Sequence, residues 1–69
     1  MNLINKINTK LYLSIKQLSI ITDISVSTLN SYSQNRRNIS KKNIQKIMLG
    51  LKQYREMIMD FIMDETISK

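Results

Sequence analysis

Apolar residues recur every three or four positions along most of the chain, which is the spacing of amphipathic helices. This spacing predicts one helix over 3–12, a second over 15–21, a third over 26–32 and a fourth that begins after Ser40. The residues expected to face a core in the first, second and fourth helices are Leu3, Ile4, Ile7, Leu11, Ile15, Leu18, Ile21, Ile44, Ile47, Met48 and Leu51. The chain is therefore predicted to be all-α.

Serine residues stand where the helices are expected to begin, and a serine hydroxyl can accept a hydrogen bond from a free N–H of the first turn. Ser14 is followed three residues later by Gln17, which is the S-x-x-Q form of the capping box. Ser25 and Ser40 are placed to cap the third and fourth helices. These caps support the predicted helix boundaries independently of the apolar spacing.

The breaks between the predicted helices contain polar residues and the one glycine. Residues 22–24 form a turn in which Asp23 is suited to a positive φ, and residues 34–39 form a polar loop. Gly50 either separates a last helix over 51–66 from the fourth helix or lies within one long helix. Four or five helices are therefore expected.

Charge is distributed unevenly over the 69 residues, which carry a formal net charge of +6. Up to and including Arg55 the net charge is +9, with Asp23 as the one acidic residue, and from Glu56 onward it is −3. A basic body with an acidic terminal segment predicts one surface that binds a polyanion and another that faces away from it.

The composition excludes several classes of function. The absence of Cys and His removes disulfides, thiolate chemistry, the common metal ligands and the usual general base, so we expect no enzyme, no metal and no cofactor. No apolar run approaches the roughly 18 residues of a membrane span and no signal-peptide core is visible, so we expect a soluble protein of the bacterial cytoplasm or nucleoid, without a membrane partner or a small-molecule ligand. Abundant Ile, Asn and Lys without Ala or Pro would suit an A+T-rich genome.

Two short helices around a tight turn, followed by a basic loop, are the layout of a helix-turn-helix, whose second helix fits the major groove of DNA. From Ser14 to Ile47 the chain resembles the lambda-repressor-like domains of Cro and phage repressors, and it is also similar to the headpiece of lac-repressor-family proteins. The former pattern runs T-Q-x-x-L-A-x-x-x-G-V-S-x-x-T-I-S-x-Y-E-N-G-x-R-x-P-S. Its places are occupied here by Leu18, Ser19, Asp23, Ile24, Ser25, Thr28, Leu29, Tyr32, Arg37 and Ser40.

Four positions depart from the pattern of the family. Asp23 stands where the family has Gly, Ser19 where it has Ala, Asn35 where it has the loop Gly and Ile39 where it has Pro. Asn also accepts left-handed backbone, and Ser is nearly as small as Ala. The resemblance therefore implies a single compact lambda-repressor-like domain over 1–69, with its helix-turn-helix unit over 14–33.

The resemblance also implies which residues contact DNA. Those facing bases would be Val26, Ser27, Asn30 and Ser31, with Ser25 and Thr28 near the phosphates. These side chains are short and offer limited base discrimination. DNA shape and phosphate contacts are therefore expected to contribute much of the binding, the phosphate contacts coming from Lys16, Arg36, Arg37, Lys41 and Lys42.

The segment over 51–66 carries more apolar residues than one buried helix face needs. This excess predicts a second buried surface and hence a homodimer, which would present two recognition helices to major grooves about 34 Å apart. The expected interface is Tyr54, Met57, Ile58, Phe61 and Ile62. The alternative is a helix that folds back on its own core. Separately, Met48, Met57, Met59 and Met63 are expected to be hydrophobic residues that fill gaps.

Together these expectations describe a sequence-specific transcription regulator that binds double-stranded DNA. The favoured form is a small dimeric repressor of a phage, plasmid or other mobile element that binds an inverted-repeat operator. The alternative is a protein-binding module, an adaptor or inhibitor of a host protein, built on the same scaffold. Replacement of Arg36, Arg37, Lys41 and Lys42 would abolish the first activity and spare the second.

Overall fold

A computed structural model describes residues 2–67, and within that range it contains four helices and no strand. The helices are α1 (Leu3–Leu11), α2 (Ile15–Thr22), α3 (Val26–Ser33) and α4 (Lys41–Ile67). The prediction of an all-α chain is confirmed. A separate fifth helix over 51–66 is wrong, because α4 is continuous. No helix within 2–67 combines the length and the apolar character needed to cross a membrane.

The core is small and draws on all four helices. Its buried residues are Ile4, Ile7, Leu13, Leu18, Ile24, Leu29, Tyr32 and Ile47. α2 packs against both α3 and α4, and α1 packs against α3. Ile15, Ile21, Ile39, Leu51 and Tyr54 are partly buried around this cluster. The short helices α1 to α3 therefore form a body that one face of α4 closes.

Several of the positions predicted to be core lie at the surface. Leu3, Leu11, Ile44 and Met48 are exposed, because each neighbouring element covers only a narrow strip of a short helix. Leu13 and Ile24, which lie in the connections between helices, are buried in their place. The apolar spacing thus identified the helices but overestimated the width of their buried faces.

Gly50 permits a close approach between α4 and α2 instead of ending a helix. A Cβ atom built at Gly50 would overlap the carbonyl oxygen of Ile21 and would lie 3.1 Å from the Cα atom of Thr22. A glycine inside a helix is unfavourable by roughly 1 kcal/mol relative to alanine, so it persists where contact requires it. The missing side chain lets the two helix backbones pack directly.

The predicted helix boundaries are confirmed to within a residue or two. Ser14 Oγ accepts a hydrogen bond from the N–H of Gln17 at 3.1 Å, and the Gln17 side chain accepts one from the N–H of Ser14 at 2.9 Å, which completes the capping box. Ser40 Oγ caps α4 by accepting from the N–H of Asn43 at 3.2 Å. Asp23 has the expected positive φ, 58°.

The second half of α4 extends away from the body. The helix has 27 residues, which corresponds to about 40 Å at the usual rise, and residues 55–67 are exposed at every position. The alternative in which this segment folds back on its own core is therefore wrong. The four methionines Met48, Met57, Met59 and Met63 are all exposed, so they do not fill gaps in the core.

Candidate nucleic-acid interface

The start of α3 is fixed by a pair of hydroxyl groups. Ser25 Oγ accepts a hydrogen bond from the N–H of Thr28 at 3.1 Å and donates one to Thr28 Oγ1 at 2.8 Å. Ser25 is exposed and Thr28 is half-buried. The first turn of α3 therefore presents hydroxyl groups and free backbone N–H groups at the positive end of the helix dipole, an arrangement suited to an anion.

One face of α3 is open to solvent and the other is anchored in the core. Leu29 and Tyr32 are buried, whereas Val26, Ser27 and Asn30 are exposed. Val26 and Asn30 are four residues apart, so their side chains lie on the same face of the helix. Of the four residues predicted to face bases, only Ser31 is partly covered.

The turn between α2 and α3 is held by short hydrogen bonds. Ser19 Oγ donates to the carbonyl oxygen of Ile24 at 2.6 Å, and the N–H of Asp23 donates to the carbonyl oxygen of Ser19 at 3.0 Å. Lys46 Nζ of α4 donates to the carbonyl oxygen of Asp23 at 3.4 Å. These bonds, with buried Ile24 between the helices, fix α3 relative to α2 and α4.

A Schellman motif ends α3 and starts the basic loop. The N–H of Asn35 donates to the carbonyl oxygen of Tyr32 at 3.1 Å, and the N–H of Arg36 donates to that of Ser31 at 2.9 Å. Asn35 has a φ of 59°, the left-handed conformation that this motif requires at its first residue outside the helix. The backbone of Arg36 is thereby joined to the end of α3 instead of moving with a free loop.

Tyr32 links this loop to the start of α4. The Arg37 guanidinium lies over the Tyr32 ring, 5.8 Å from its centre, within the range of a cation–π contact. The Tyr32 hydroxyl accepts a hydrogen bond from Asn43 Nδ2 at 2.7 Å. The Tyr32 side chain is only 2% exposed, and its hydroxyl is bound to Asn43 instead of facing solvent.

The N-terminus of α1 is tied to the C-terminus of α3 by asparagine side chains that the sequence reasoning missed. Asn2 caps α1 through its Oδ1 atom, and its Nδ2 atom donates to the carbonyl oxygens of Tyr32 at 2.8 Å and Ser33 at 3.0 Å. Asn5 and Ser33 exchange a further pair of hydrogen bonds. Asparagine at a predicted helix start was the available signal, but the partner about 30 residues away is not visible in a local pattern.

Basic side chains surround this arrangement without a carboxylate in the adjoining sequence. Arg36, Arg37, Lys41 and Lys42, here called the basic segment, are all exposed, and no acidic residue occurs between Asp23 and Glu56. Lys41 and Lys42 begin α4, where positive charge opposes the helix dipole. Their placement disfavours the isolated fold and favours an anionic partner.

Hydrogen bonds and packing contacts connect some of the predicted DNA-binding residues to one another, whereas Lys16 lies on a separate helix. The Schellman hydrogen bond couples Ser31 to Arg36, and Tyr32 couples Arg37 to the beginning of α4. Lys16 is exposed in the first turn of α2, on a separate element. The exposed start of α3 and the basic segment are thus held by one continuous set of packed and hydrogen-bonded groups.

Comparison of the chain with models of protein families, with curated proteins and with solved structures found no match. The functional interpretation of this surface therefore rests on the placement, exposure and charge of its residues.

Proposed function

We propose that this protein is a sequence-specific transcription regulator that binds double-stranded DNA, and that it acts as a small dimeric repressor of a phage, plasmid or other mobile element. α2 and α3 are the two helices of a helix-turn-helix in this proposal. α3 enters the major groove, and an inverted-repeat operator is bound by two copies of the chain.

The observation that carries this proposal is the combination of an open α3 face with a fixed basic segment. Val26, Ser27 and Asn30 are exposed on a helix whose opposite face is buried and whose two ends are held by hydrogen bonds. A rigid, narrow helix with short polar side chains can approach base edges closely. A helix with a purely structural role would not need a cluster of exposed cations next to it.

In the proposed complex, affinity and specificity come from different residues. The basic segment and Lys16 contact phosphates and supply the salt-dependent part of the affinity. Asn30 has the amide group that can pair with an adenine, and Val26 can contact a thymine methyl group. Ser25 and Thr28 lie at the start of α3, where a helix N-terminus favours a phosphate.

The homodimer in this proposal is supported by the exposed half of α4. Met57, Phe61 and Ile62 are 61%, 62% and 50% exposed, and they lie within four positions of Ile58, which is 37% exposed. A contiguous apolar surface of this kind is typical of an interaction site. In this proposal, the concentration of the protein controls operator occupancy through the dimer equilibrium.

Selection of binding sites from random duplex DNA, together with the mass of the purified protein in solution, tests the proposal. We expect enrichment of an inverted repeat and a mass twice that of the chain. Affinity for the selected site should fall steeply between about 50 and 200 mM salt. Failure to enrich any sequence, combined with affinity that is indifferent to salt, would exclude the proposed function.

A second candidate function is a protein-binding module, and the same exposed face of α4 is the observation in its favour. In that case the apolar residues would bind a different protein, as in an adaptor or an inhibitor. Replacement of Phe61 by Ser would then abolish activity, while replacement of the four cations of the basic segment by Ala would leave it intact. The repressor predicts that the basic-segment variant loses DNA binding.

A further inference from the structure

The exposed half of α4, residues 55–67, continues the face of the helix that packs on the body. Ile47, Leu51, Tyr54, Ile58 and Phe61 follow one another at alternating spacings of four and three residues. Ile47 is buried, Leu51 and Tyr54 are half-buried, and Ile58 and Phe61 are 37% and 62% exposed. The apolar seam thus begins inside the body and runs out along a segment that no other part of residues 2–67 covers.

We propose that a second copy of the chain covers this segment with its own residues 55–67, and that the two segments run antiparallel with Ile58 facing the partner's Phe61. This inference rests on the homodimer in the proposed function and adds to it the direction and register of the two helices. The partner is identified by three properties of α4, namely its direction out of the body, its order of charges and its length.

The position of the body excludes a parallel pair. Because the exposed seam lies on the same helix face that holds α1 to α3, a parallel partner would carry its own body into the space that the first body occupies. In an antiparallel pair the second body lies at the far end of α4. Only this direction lets the seam residues of both copies meet without a collision of the two bodies.

The order of charges along α4 favours the same direction. Lys52 precedes the exposed segment and Arg55 begins it, followed directly by Glu56, whereas Asp60 lies near its middle and Asp64 and Glu65 lie near its end. In the proposed register, positions whose numbers add to 119 lie at the same level, so the end of the segment that carries Lys52 and Arg55 lies beside the partner's end that carries Asp64 and Glu65. A parallel pair would instead place like charges level with each other along the whole segment, which is unfavourable.

The same register matches apolar residues with one another. Met57 lies level with the partner's Ile62, and Ile58 level with the partner's Phe61. Tyr54 lies level with the partner's Glu65. The Tyr54 ring lines an apolar groove of about 390 Å³ between α1 and α4. Leu11, Leu13 and Met59 also line this groove, which therefore lies where the end of the partner's helix arrives.

The register also sets the distance between the two bodies. The Ile47 residues of the two copies would be separated by about 25 positions along the pair, which is about 37 Å at a rise of 1.5 Å per residue. Successive major grooves on one side of DNA are about 34–36 Å apart. Antiparallel pairing thus separates the two bodies by a distance suited to the two halves of an inverted repeat.

Cysteine cross-linking of the full chain tests the direction without DNA, because the chain has no cysteine of its own. Arg55→Cys and Ile62→Cys variants, at two positions on the same side of the seam, are mixed and treated with a short bifunctional maleimide. Position 55 lies about 3 Å along the pair from the partner's position 62 but about 13 Å from the partner's position 55, so we expect more covalent dimer in the mixture than with Arg55→Cys alone. Cross-linking of Arg55→Cys alone that is as efficient as in the mixture would show a parallel pair and overturn the inference.

Charge reversal supplies a second measurement on proteins that stay folded, as judged by helical circular dichroism. Arg55→Glu replaces a positive charge by a negative one at the end of the segment that lies beside the partner's Asp64 and Glu65, so the dimer dissociation constant should rise about threefold. Adding Asp64→Lys and Glu65→Lys to the same chain should restore it. A parallel pair would leave the affinity of Arg55→Glu unchanged, which contradicts the inference.

The outcomes separate this inference from the proposed function. A wild-type protein that is monomeric in solution overturns the antiparallel dimer, whereas binding of that monomer to a single half-site would still support DNA recognition. Antiparallel cross-links in a protein that does not bind DNA would support the pairing and exclude the repressor.

Discussion

Gly50 of α4 and the carbonyl group of Ile21 in α2 lie so close that any side chain at position 50 would overlap the α2 backbone. This contact joins α4, which carries the exposed apolar seam, to α2, which ends at the turn containing Asp23. It also explains why α4 tolerates a glycine in its interior.

We predict that Gly50→Ala lowers the free energy of unfolding by about 1–3 kcal/mol, the usual range for an overpacked contact. The higher helix propensity of alanine would by itself raise the stability of α4 by roughly 1 kcal/mol. A net loss of stability would therefore show that the contact between Gly50 and Ile21 is tight. Urea denaturation followed by circular dichroism measures it. Gln53→Ala, an exposed site on the same helix, serves as the control and should change stability by less than about 0.5 kcal/mol. A Gly50→Ala protein that is as stable as wild type would show that the two backbones can separate at no cost.

The features that the sequence predicted well depend on neighbouring residues. The capping box joins Ser14 to Gln17, and the left-handed turn depends on Asp23 and its immediate neighbours. Each of these features involves residues within five positions of one another, so a short stretch of sequence is enough to predict it. The four helices follow from apolar spacing for the same reason. All eleven candidate DNA contacts lie on α2, α3, the loop or the start of α4, and nine of them are exposed.

The features that the sequence missed depend on contacts between distant segments. Asn2 reaches Tyr32 across 30 positions, and Gly50 meets Ile21 across a similar separation. The sequence around Gly50 was compatible with a helix break and with a close approach of two helices, because glycine is favoured in both. The burial of Tyr32 likewise depends on Asn43, which offers its hydroxyl a partner that local spacing cannot supply.

Tyr12 provides a prediction about backbone strain. It follows α1 with a φ of 55° and is 88% exposed, so it adopts the left-handed conformation without a packing contact in compensation. We expect Tyr12→Gly to raise stability by about 0.5–1 kcal/mol, since the strain relieved exceeds the added freedom of the unfolded chain. Thermal denaturation measures the gain. Tyr12→Ala retains a Cβ atom and should give no comparable gain; equal stabilisation by both variants would argue against strain as the cause.

Tyr32 allows the hydrogen bond to Asn43 to be separated from the ring contact with Arg37. Tyr32→Phe removes the acceptor but keeps the ring, so we expect a loss of about 1 kcal/mol in stability and unchanged DNA affinity of the folded protein. Asn43→Ala should cost a similar amount. The double variant should be less destabilised than the sum of the two, because both remove one bond. Strict additivity in this double-mutant cycle would mean that the two groups do not interact in solution.

The basic segment gives a prediction that depends on salt. Replacing Arg36 and Arg37 by Ala should reduce the slope of log affinity against log salt concentration by about 2, since each lost phosphate contact removes about 0.9. A filter-binding or fluorescence titration at several salt concentrations measures the slope. Lys6→Ala with Lys10→Ala changes the net charge equally but lies on α1, and this pair should leave the slope nearly unchanged. Equal effects of the two double variants would indicate general charge attraction without a defined phosphate contact.

Asn30 is the residue expected to discriminate between bases, since it has the one side-chain amide on the open face of α3 and an amide can donate to and accept from the same base. We expect Asn30→Ala to lose about 1–3 kcal/mol of preference at one base pair in each half of the selected site, while preferences elsewhere persist. Binding to a panel of single base-pair substitutions measures this directly. Gln53→Ala removes an amide from α4 and should leave the panel unchanged. The two affected base pairs should be related by the two-fold symmetry of the operator, because both copies of α3 are identical. Uniform weakening across the whole panel would instead assign Asn30 to the DNA backbone and leave the groove readout to Val26 and Ser27.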